Sequence, residues 1–336
     1  MNNYRLISDY KDHDVYRESF NELAKLVFGL DFKKWYGKGC WNDNYICYSY
    51  VDGNQIIANA SINKMKIVSN DREYKAIQVG TVMTHPKYRN QGLSTNLMNH
   101  IIDQYEKEYD FIYLFANKTV LDFYPKFKFT KVQESSFSMD ITKLKKQNTT
   151  GSYIRKLDIN NKDDFRLMNR LAKERIPISS LLGVKDNRHL LMFYFIVVFS
   201  NAIYYLEEED VIIMCEEENQ HLHIYDIISK NKVEFDLVLN HLISDETKMF
   251  HFYFTPDLEN SYFRKEFITE SEDTLFVTIA ITINDISKTK EVYDKLQDGG
   301  EILMPLQETF WSASYGQVLD KFGVTWQIST QFDAHQ

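Results

Sequence analysis

The chain has 336 residues, 44% of them hydrophobic and 15% aromatic, enough to bury more than one core, and two or three domains are expected. Twelve glycines and five prolines exclude collagen-like and linker-rich classes and leave few places for a phosphate-binding glycine loop. The net charge of −9 is unevenly spread: Lys and Arg exceed Asp and Glu by 4 over residues 1–150 and fall 13 short over residues 151–336. An acidic chain with a mildly basic front argues against a general nucleic-acid binder and suits a small anionic ligand.

Residues 15–28 place Tyr16, Phe20, Leu23 and Val27 on one helical face, and Leu30–Trp35 reads as a second short helical piece. Tyr45–Val51 and Gln55–Ile62 are β-rich runs around the turn Asp52-Gly53-Asn54. A second turn at Asn70-Asp71-Arg72 separates Lys64–Val68 from Tyr74–Thr84. After Pro86 and a polar turn, Leu93, Leu97, Met98, Ile101, Ile102 and Tyr105 repeat as one apolar helical face. Phe111–Phe115 is an apolar strand, Val120–Phe127 a short helix, and Phe129–Asp140 contains a closing strand, giving the order ααβββαβαβ. Residues 141–152 read as a linker. Helices over Asp163–Arg175, Arg188–Phe199 and Val233–Ile243, with strands at Ala202–Leu206, Val211–Cys215, His221–Ile228 and Met249–Phe254, repeat the central order of the first half. A further βαβββ unit follows from Phe276.

Cys40, Cys47 and Cys215 are too few and too scattered for a disulfide framework or a zinc site, which fits a reducing cytoplasm. Met1–Tyr10 lacks the apolar stretch of a signal peptide, and Leu190–Phe199, the longest apolar run, is too short to cross a bilayer. A soluble cytoplasmic protein without a membrane or nucleic-acid partner is expected.

The stretch with chemical content runs from Val79 to Ser94: a strand, Met83-Thr84-His85, then Pro86, and the turn Arg89-Asn90-Gln91-Gly92-Leu93-Ser94-Thr95 opening a helix. Backbone amides converging at a helix N-terminus bind a pyrophosphate with help from the helix dipole. Gly92, having no Cβ, admits the ligand closely. This Arg-x-x-Gly-x-Ser turn resembles the coenzyme A motif of the GNAT superfamily of N-acetyltransferases, with Ser94 where the family usually has Gly or Ala. Leu114-Phe-Ala-Asn117 followed by Phe123-Tyr124-Pro-Lys-Phe-Lys-Phe129 resembles the next segment of the same family, with Lys128 in place of the usual Gly.

The resemblance implies an α+β GNAT fold over residues 1–140, a mostly antiparallel sheet with flanking helices, and acetyl-CoA as cosubstrate. It places Met83, Thr84, His85, Arg89 to Thr95 and Asn117 against the cofactor, with free amides near Met83–His85, and Tyr124 as the general acid for the departing thiolate. Asp31, Trp35 and Trp41, with Asp43, fall in the region that forms the acceptor side, although both tryptophans equally suit a core. No base stands out: Ala76–Thr84 contains no Asp or Glu, and His85 before Pro86 reads as a turn residue.

Residues 153–275 resemble the same fold in a degenerate form, as in two-domain bacterial acetyltransferases, because the turn Ile228–Val233 has no glycine and no Arg-x-x-Gly. His221 and His223 alternate onto one strand face and read as hydrated histidines. Residues 276–336, with Glu291–Leu296, Gly299-Gly300, Met304–Trp311 and Tyr315-Gly316 to Trp326, resemble half of a glyoxalase-like domain of the PhnB type. A lone half module leaves an open sheet edge, from which a homodimer through this module is expected; no metal is expected. The function expected is direct transfer of acetyl to a primary amine of a small molecule or peptide. The alternatives are an acyl-CoA-binding regulatory protein and a resistance protein that binds its ligand with the tail.

Overall fold

A computed structural model describes residues 4–146, 153–257, 262–283, 285–309, 312–321 and 325–330. The first half contains strand β1 (Arg5–Ser8), helices α1 (Asp14–Phe28) and α2 (Lys33–Gly37), strands β2 (Tyr45–Asp52), β3 (Gln55–Ser69) and β4 (Arg72–Thr84), helix α3 (Leu93–Tyr105), and strands β5 (Phe111–Asn117), β6 (Thr130–Lys131) and β7 (Ser135–Asp140). The expected strands 55–62 and 64–68 are one continuous β3, and the helix expected over 120–127 is two 3-10 turns, Lys118–Val120 and Tyr124–Phe127. β1 pairs with β2 beyond the expected elements.

The second half adds β8 (Ile154–Lys156), α4 (Lys162–Glu174), β9 (Gly183–Lys185), α5 (Arg188–Phe193), β10 (Ile203–Leu206), β11 (Val211–Glu218), β12 (His221–Ile228), α6 (Phe235–Leu242) and β13 (Met249–Phe252). The two halves exchange strands. β7, which closes the first half in sequence, pairs instead with β13 in the second sheet, whose order continues β12-β11-β10-β8. In return β9 pairs with β3 of the first sheet. The halves also share one core, in which Phe20, Trp35 and Trp41 pack with Met168, Leu191 and Phe195. This interlocking joins them into a single unit rather than two linked beads.

β14 (Arg264–Phe267) pairs with β7, and β15 (Asp273–Ile283), α7 (Ile286–Leu296), β16 (Glu301–Thr309), β17 (Ser312–Leu319) and β18 (Thr325–Thr330) complete the chain's βαβββ unit. Among the described residues its own buried cluster is Tyr293, Val318 and Ile328, with Ile283, Leu296, Leu306 and Trp326 packed against it. Gly316 is required by packing: a Cβ there would lie 2.5 Å from the ring of Tyr293. The module's inner edge is not open, because β15 pairs antiparallel with β5 from Asp273↔Asn117 to Ile279↔Phe111. The first sheet therefore runs β1-β2-β3-β4-β5-β15-β18-β17-β16. The outer edge, β16, contains Pro305 and three register breaks, features that make an edge a poor template for a further strand. Trp311 and residues 322–324 of the glyoxalase-like motif, and 147–152 of the linker, lie outside the described residues. Among the described residues no helix is long and apolar enough to cross a membrane.

Candidate active site

β4 and β5 run parallel and in register only from Ala76↔Phe111 to Val79↔Leu114, and then part. Each strand continues, held from its far side: β4 by β3, β5 by β15. The result is a wedge-shaped opening whose facing edges have no strand between them. A bulge shapes the β4 side, where the register passes from Asn59↔Met83 to Ser61↔Gly80 and Thr81 takes φ 45°.

A buried polar network fixes that bulge. Asn59 Nδ2 donates to the Thr81 carbonyl at 2.9 Å, and the Thr81 hydroxyl meets Ser61 Oγ at 2.6 Å and Tyr45 Oη at 3.1 Å. Tyr10 and Ser49 complete it through Asn59 Oδ1. These residues were not singled out from the sequence, although Asn59, Ser61 and Asn63 alternate on one face of an otherwise apolar strand, a pattern that signals a buried polar row.

The bulge also decides which amides face the opening. The His85 amide donates to the Ile57 carbonyl at 2.8 Å and is committed to β3. Successive amides of a strand point to opposite sides, so Met83 also addresses β3, whereas Val82 and Thr84 direct their N–H groups into the gap. The expected set Met83–His85 is corrected accordingly. His85 instead caps the turn Pro86–Tyr88, its Nδ1 accepting from the Lys87 amide at 3.2 Å.

At the mouth of the opening Asn90 and Gly92 are left-handed, with φ 61° and 76°, and Gly92 is the N-cap of α3 without a side-chain cap. The amides of Leu93, Ser94 and Thr95 have no intrahelical acceptor and converge with the positive end of the helix dipole. The buried side chain of Leu93 anchors the turn. The Thr84 and Ser94 hydroxyls lie 2.7 Å apart, tying the end of β4 to the first turn of α3, so the hydroxyl that Gly or Ala would lack serves as a pin. Arg89 Nε reaches the Thr84 carbonyl at 3.4 Å, and Gln91 accepts from the Tyr4 hydroxyl at 3.4 Å.

Tyr124 is 6% exposed, among the rings of Phe123, Phe129 and Phe276. Burial pushes its phenol up to about 12, which keeps the proton on it. Lys128 adopts the left-handed conformation, φ 66°, that the family's glycine would take, and its Nζ reaches Tyr315 Oη at 3.4 Å in the C-terminal module. Asn117 Oδ1 caps the turn that follows β5, accepting from the Thr119 amide and hydroxyl at 3.0 Å each.

The expected acceptor-side residues do not converge there. Trp35 is 1% exposed and donates to the His189 carbonyl at 2.9 Å, and Trp41 donates to the Tyr45 carbonyl at 2.9 Å. Both are core. Asp31 pairs with Lys25 at 2.6 Å on the surface, and Asp43 with Lys11 at 2.9 Å. In the second sheet β12 and β13 also run parallel, and Phe235, at the start of α6, makes ring contacts with Phe252 and Phe254. Among the described residues no group of His, Cys, Asp and Glu is arranged to hold a metal ion.

A parted parallel pair leading through a bulge to a glycine-capped helix defines the class, and residues 13–132 match the family model of the acetyltransferase (GNAT) domain. Residues 13–132 are thus similar to a GNAT domain. Residues 248–328, from β13 onward, match the glyoxalase/bleomycin resistance protein/dioxygenase superfamily. Over 52 residues the chain is 40% identical to protein YjdN of Escherichia coli, 16% of this chain and 35% of that protein. The chain thus spans about a third of the length of that curated relative. The whole architecture is similar to a probable N-acyltransferase from Enterococcus faecalis, with TM-score 0.55 and 13% identity over 97% of this chain and 85% of that one. It is likewise similar to a GCN5-related N-acetyltransferase from Kribbella flavida, with TM-score 0.52 and 12% identity over 99% and 86%, and to Eis1 of Mycobacterium abscessus, with TM-score 0.52 and 11% identity over 81% and 73%. At these identities the likeness is one of fold.

Proposed function

We propose that the first half is an acetyl-CoA-dependent N-acetyltransferase acting on a primary amine by direct transfer in a ternary complex. The observation that carries this reading is the opening between β4 and β5, which ends at the Gly92-capped helix. The pyrophosphate sits on the amides after Gly92 and the pantetheine runs into the gap against Thr84. The thioester carbonyl accepts from Val82 N–H, which stabilises the oxyanion as the amine attacks. A C–N bond forms and the C–S bond breaks; Tyr124 protonates the leaving thiolate and regains a proton from the one the amine gives up through water. Burial pushes the thiols of Cys40 up to about 11 and of Cys47 and Cys215 up to about 12, which supports direct transfer over a cysteine-bound acetyl intermediate.

The described surface gives a homodimer through the module less reason to form than the sequence did, since β15 is paired within the chain and β16 is interrupted. The test is release of free thiol from acetyl-CoA over a panel of primary amines. Amine-dependent release supports transfer. Saturable acetyl-CoA binding without release on any amine identifies a binding protein instead, and a bulky ligand bound without acetyl-CoA points to the tail.

A further inference from the structure

We infer that the cavity between α3 and the C-terminal module is a binding site for a small zwitterion of the amino-acid class. Its volume of about 310 Å³ is at the lower end of the range for small-ligand sites. Three segments distant in sequence line it: the second half of α3, the turn that begins at Tyr124, and strands β17 and β18 of the module. The site therefore exists only in the assembled chain, and it is separate from the opening between β4 and β5.

The sheet accounts for its polar wall. α3 packs on a face of the first sheet where Ile77, Ile112 and Leu114 are buried, and Thr278 of β15 stands opposite Ile112, so the same face continues into the module. There it turns polar. Gln317 and Gln327 are paired across β17 and β18, and a chain of hydrogen bonds joins them to their neighbours. Gln317 Nε2 donates to Tyr315 Oη, Tyr315 Oη to Gln327 Oε1 at 3.1 Å, and Gln327 Nε2 to Thr278 Oγ1 at 2.9 Å. All four residues are buried, and a satisfied network of this kind fixes the Tyr315 and Gln327 side chains at the cavity before a ligand arrives. Such a wall disfavours a wholly apolar occupant.

Charges of both signs line the same space. Asp103 and Glu106 lie three residues apart on one face of α3, while Lys126 and Lys128 come from the turn and its end. Among the described residues none of these four forms an ion pair. Glu106 is half-buried, and desolvation, then Asp103, hold its carboxyl above the usual range against the pull of Lys128 and Lys107. An ammonium group beside it would favour the charged form. Lys128 Nζ lies 3.4 Å from Tyr315 Oη and has further donors for a carboxylate. A ligand carrying both groups suits both sides of the cavity, whereas a simple cation or anion meets repulsion from one of them. Ile102 and Phe127 add an apolar part of the wall for its side chain.

Thermal unfolding of the full chain without acetyl-CoA, in the presence of each standard amino acid in turn, tests this. At least one should raise the melting temperature saturably. Its N-acetyl derivative, which lacks the ammonium, and its amide, which lacks the carboxylate, should each bind about tenfold more weakly. Glu106→Gln and Lys128→Gln should weaken the parent amino acid by a similar factor, and the melting of each unliganded variant reports whether it folds. The derivatives test the same two charges without altering the protein. No saturable shift with any amino acid overturns the site, and a derivative that binds as well as its parent overturns the zwitterion. Unchanged affinity in both folded variants also overturns the proposal, because it places the amino acid elsewhere, as an acceptor in the opening between β4 and β5 would be.

Discussion

The ring of Phe276 lies 6.0 Å from the ring of Tyr124, although the two belong to the C-terminal module and the first half of the chain. β15 brings Phe276 there by pairing with β5, and the same strand is bonded to the segment after Tyr124 through the Val132 amide and the Leu275 carbonyl at 2.9 Å. The module thus forms one wall around the proposed acid.

Phe276→Ala should therefore act twice. Removing a ring 3% exposed costs about 3–5 kcal/mol and lowers the melting temperature. It should also lower kcat, because the phenol loses a wall, whereas Phe276→Leu should recover most of both. Thermal unfolding and initial rates measured together check this; a kcat unaffected at a temperature where the variant is folded would show that the wall is structural only.

Tyr124→Phe leaves the ring packing and removes the proton donor. The amine-dependent rate should fall about 100-fold, within the usual range for a general acid, with acetyl-CoA affinity within about twofold of wild type. With the phenol pushed up to about 12, Tyr124 stays protonated across the neutral and mildly alkaline range. The pH–rate profile should therefore show no loss of rate assignable to this group until pH approaches 12. Equal rates in the variant and wild type would leave Tyr124 a packing residue.

Gly92→Ala meets no protein atom within 4 Å but places a side chain at φ 76°, so its effect falls on backbone conformation and on a ligand at the helix terminus. Acetyl-CoA affinity measured by calorimetry should drop about tenfold or more, with a stability loss of about 1 kcal/mol. Ser94→Ala should cost about 1 kcal/mol through its lost bond to Thr84 and leave most of the affinity in place.

His189 provides a pH dependence. Its ring is buried with neither nitrogen partnered among the described residues, and burial, then Arg188, hold it down to about 4. The ring is neutral when folded but takes up a proton below about 6.5 when unfolded. Its contribution is fully present above that value and is lost as pH falls towards 4, about 3 kcal/mol over the window as an order of magnitude. Denaturant unfolding between pH 7 and 4.5 should show this fall, and His189→Phe should flatten it; the Trp35 bond is to the backbone and survives the substitution.

The sequence by itself determined the parts that depend on near neighbours. The periodicity from Leu93 to Tyr105 is the observed α3, Gly92 stands where the backbone turns left-handed, and Tyr124 opens the short turn where the resemblance placed it. These are set by local dihedral preference and by one-sided burial, both written in consecutive residues. The tertiary structure alone decided which strand closes which sheet. β7 is six residues with three serines and β15 is eleven residues and mostly apolar, yet nothing in either run says that β7 joins β13 while β15 takes the place beside β5. It likewise assigned Trp35 and Trp41 to the core and turned the amides of Val82 and Thr84 to the gap. Those outcomes depend on ladder register and on a bulge held by Asn59 and Ser61, contacts between residues distant along the chain.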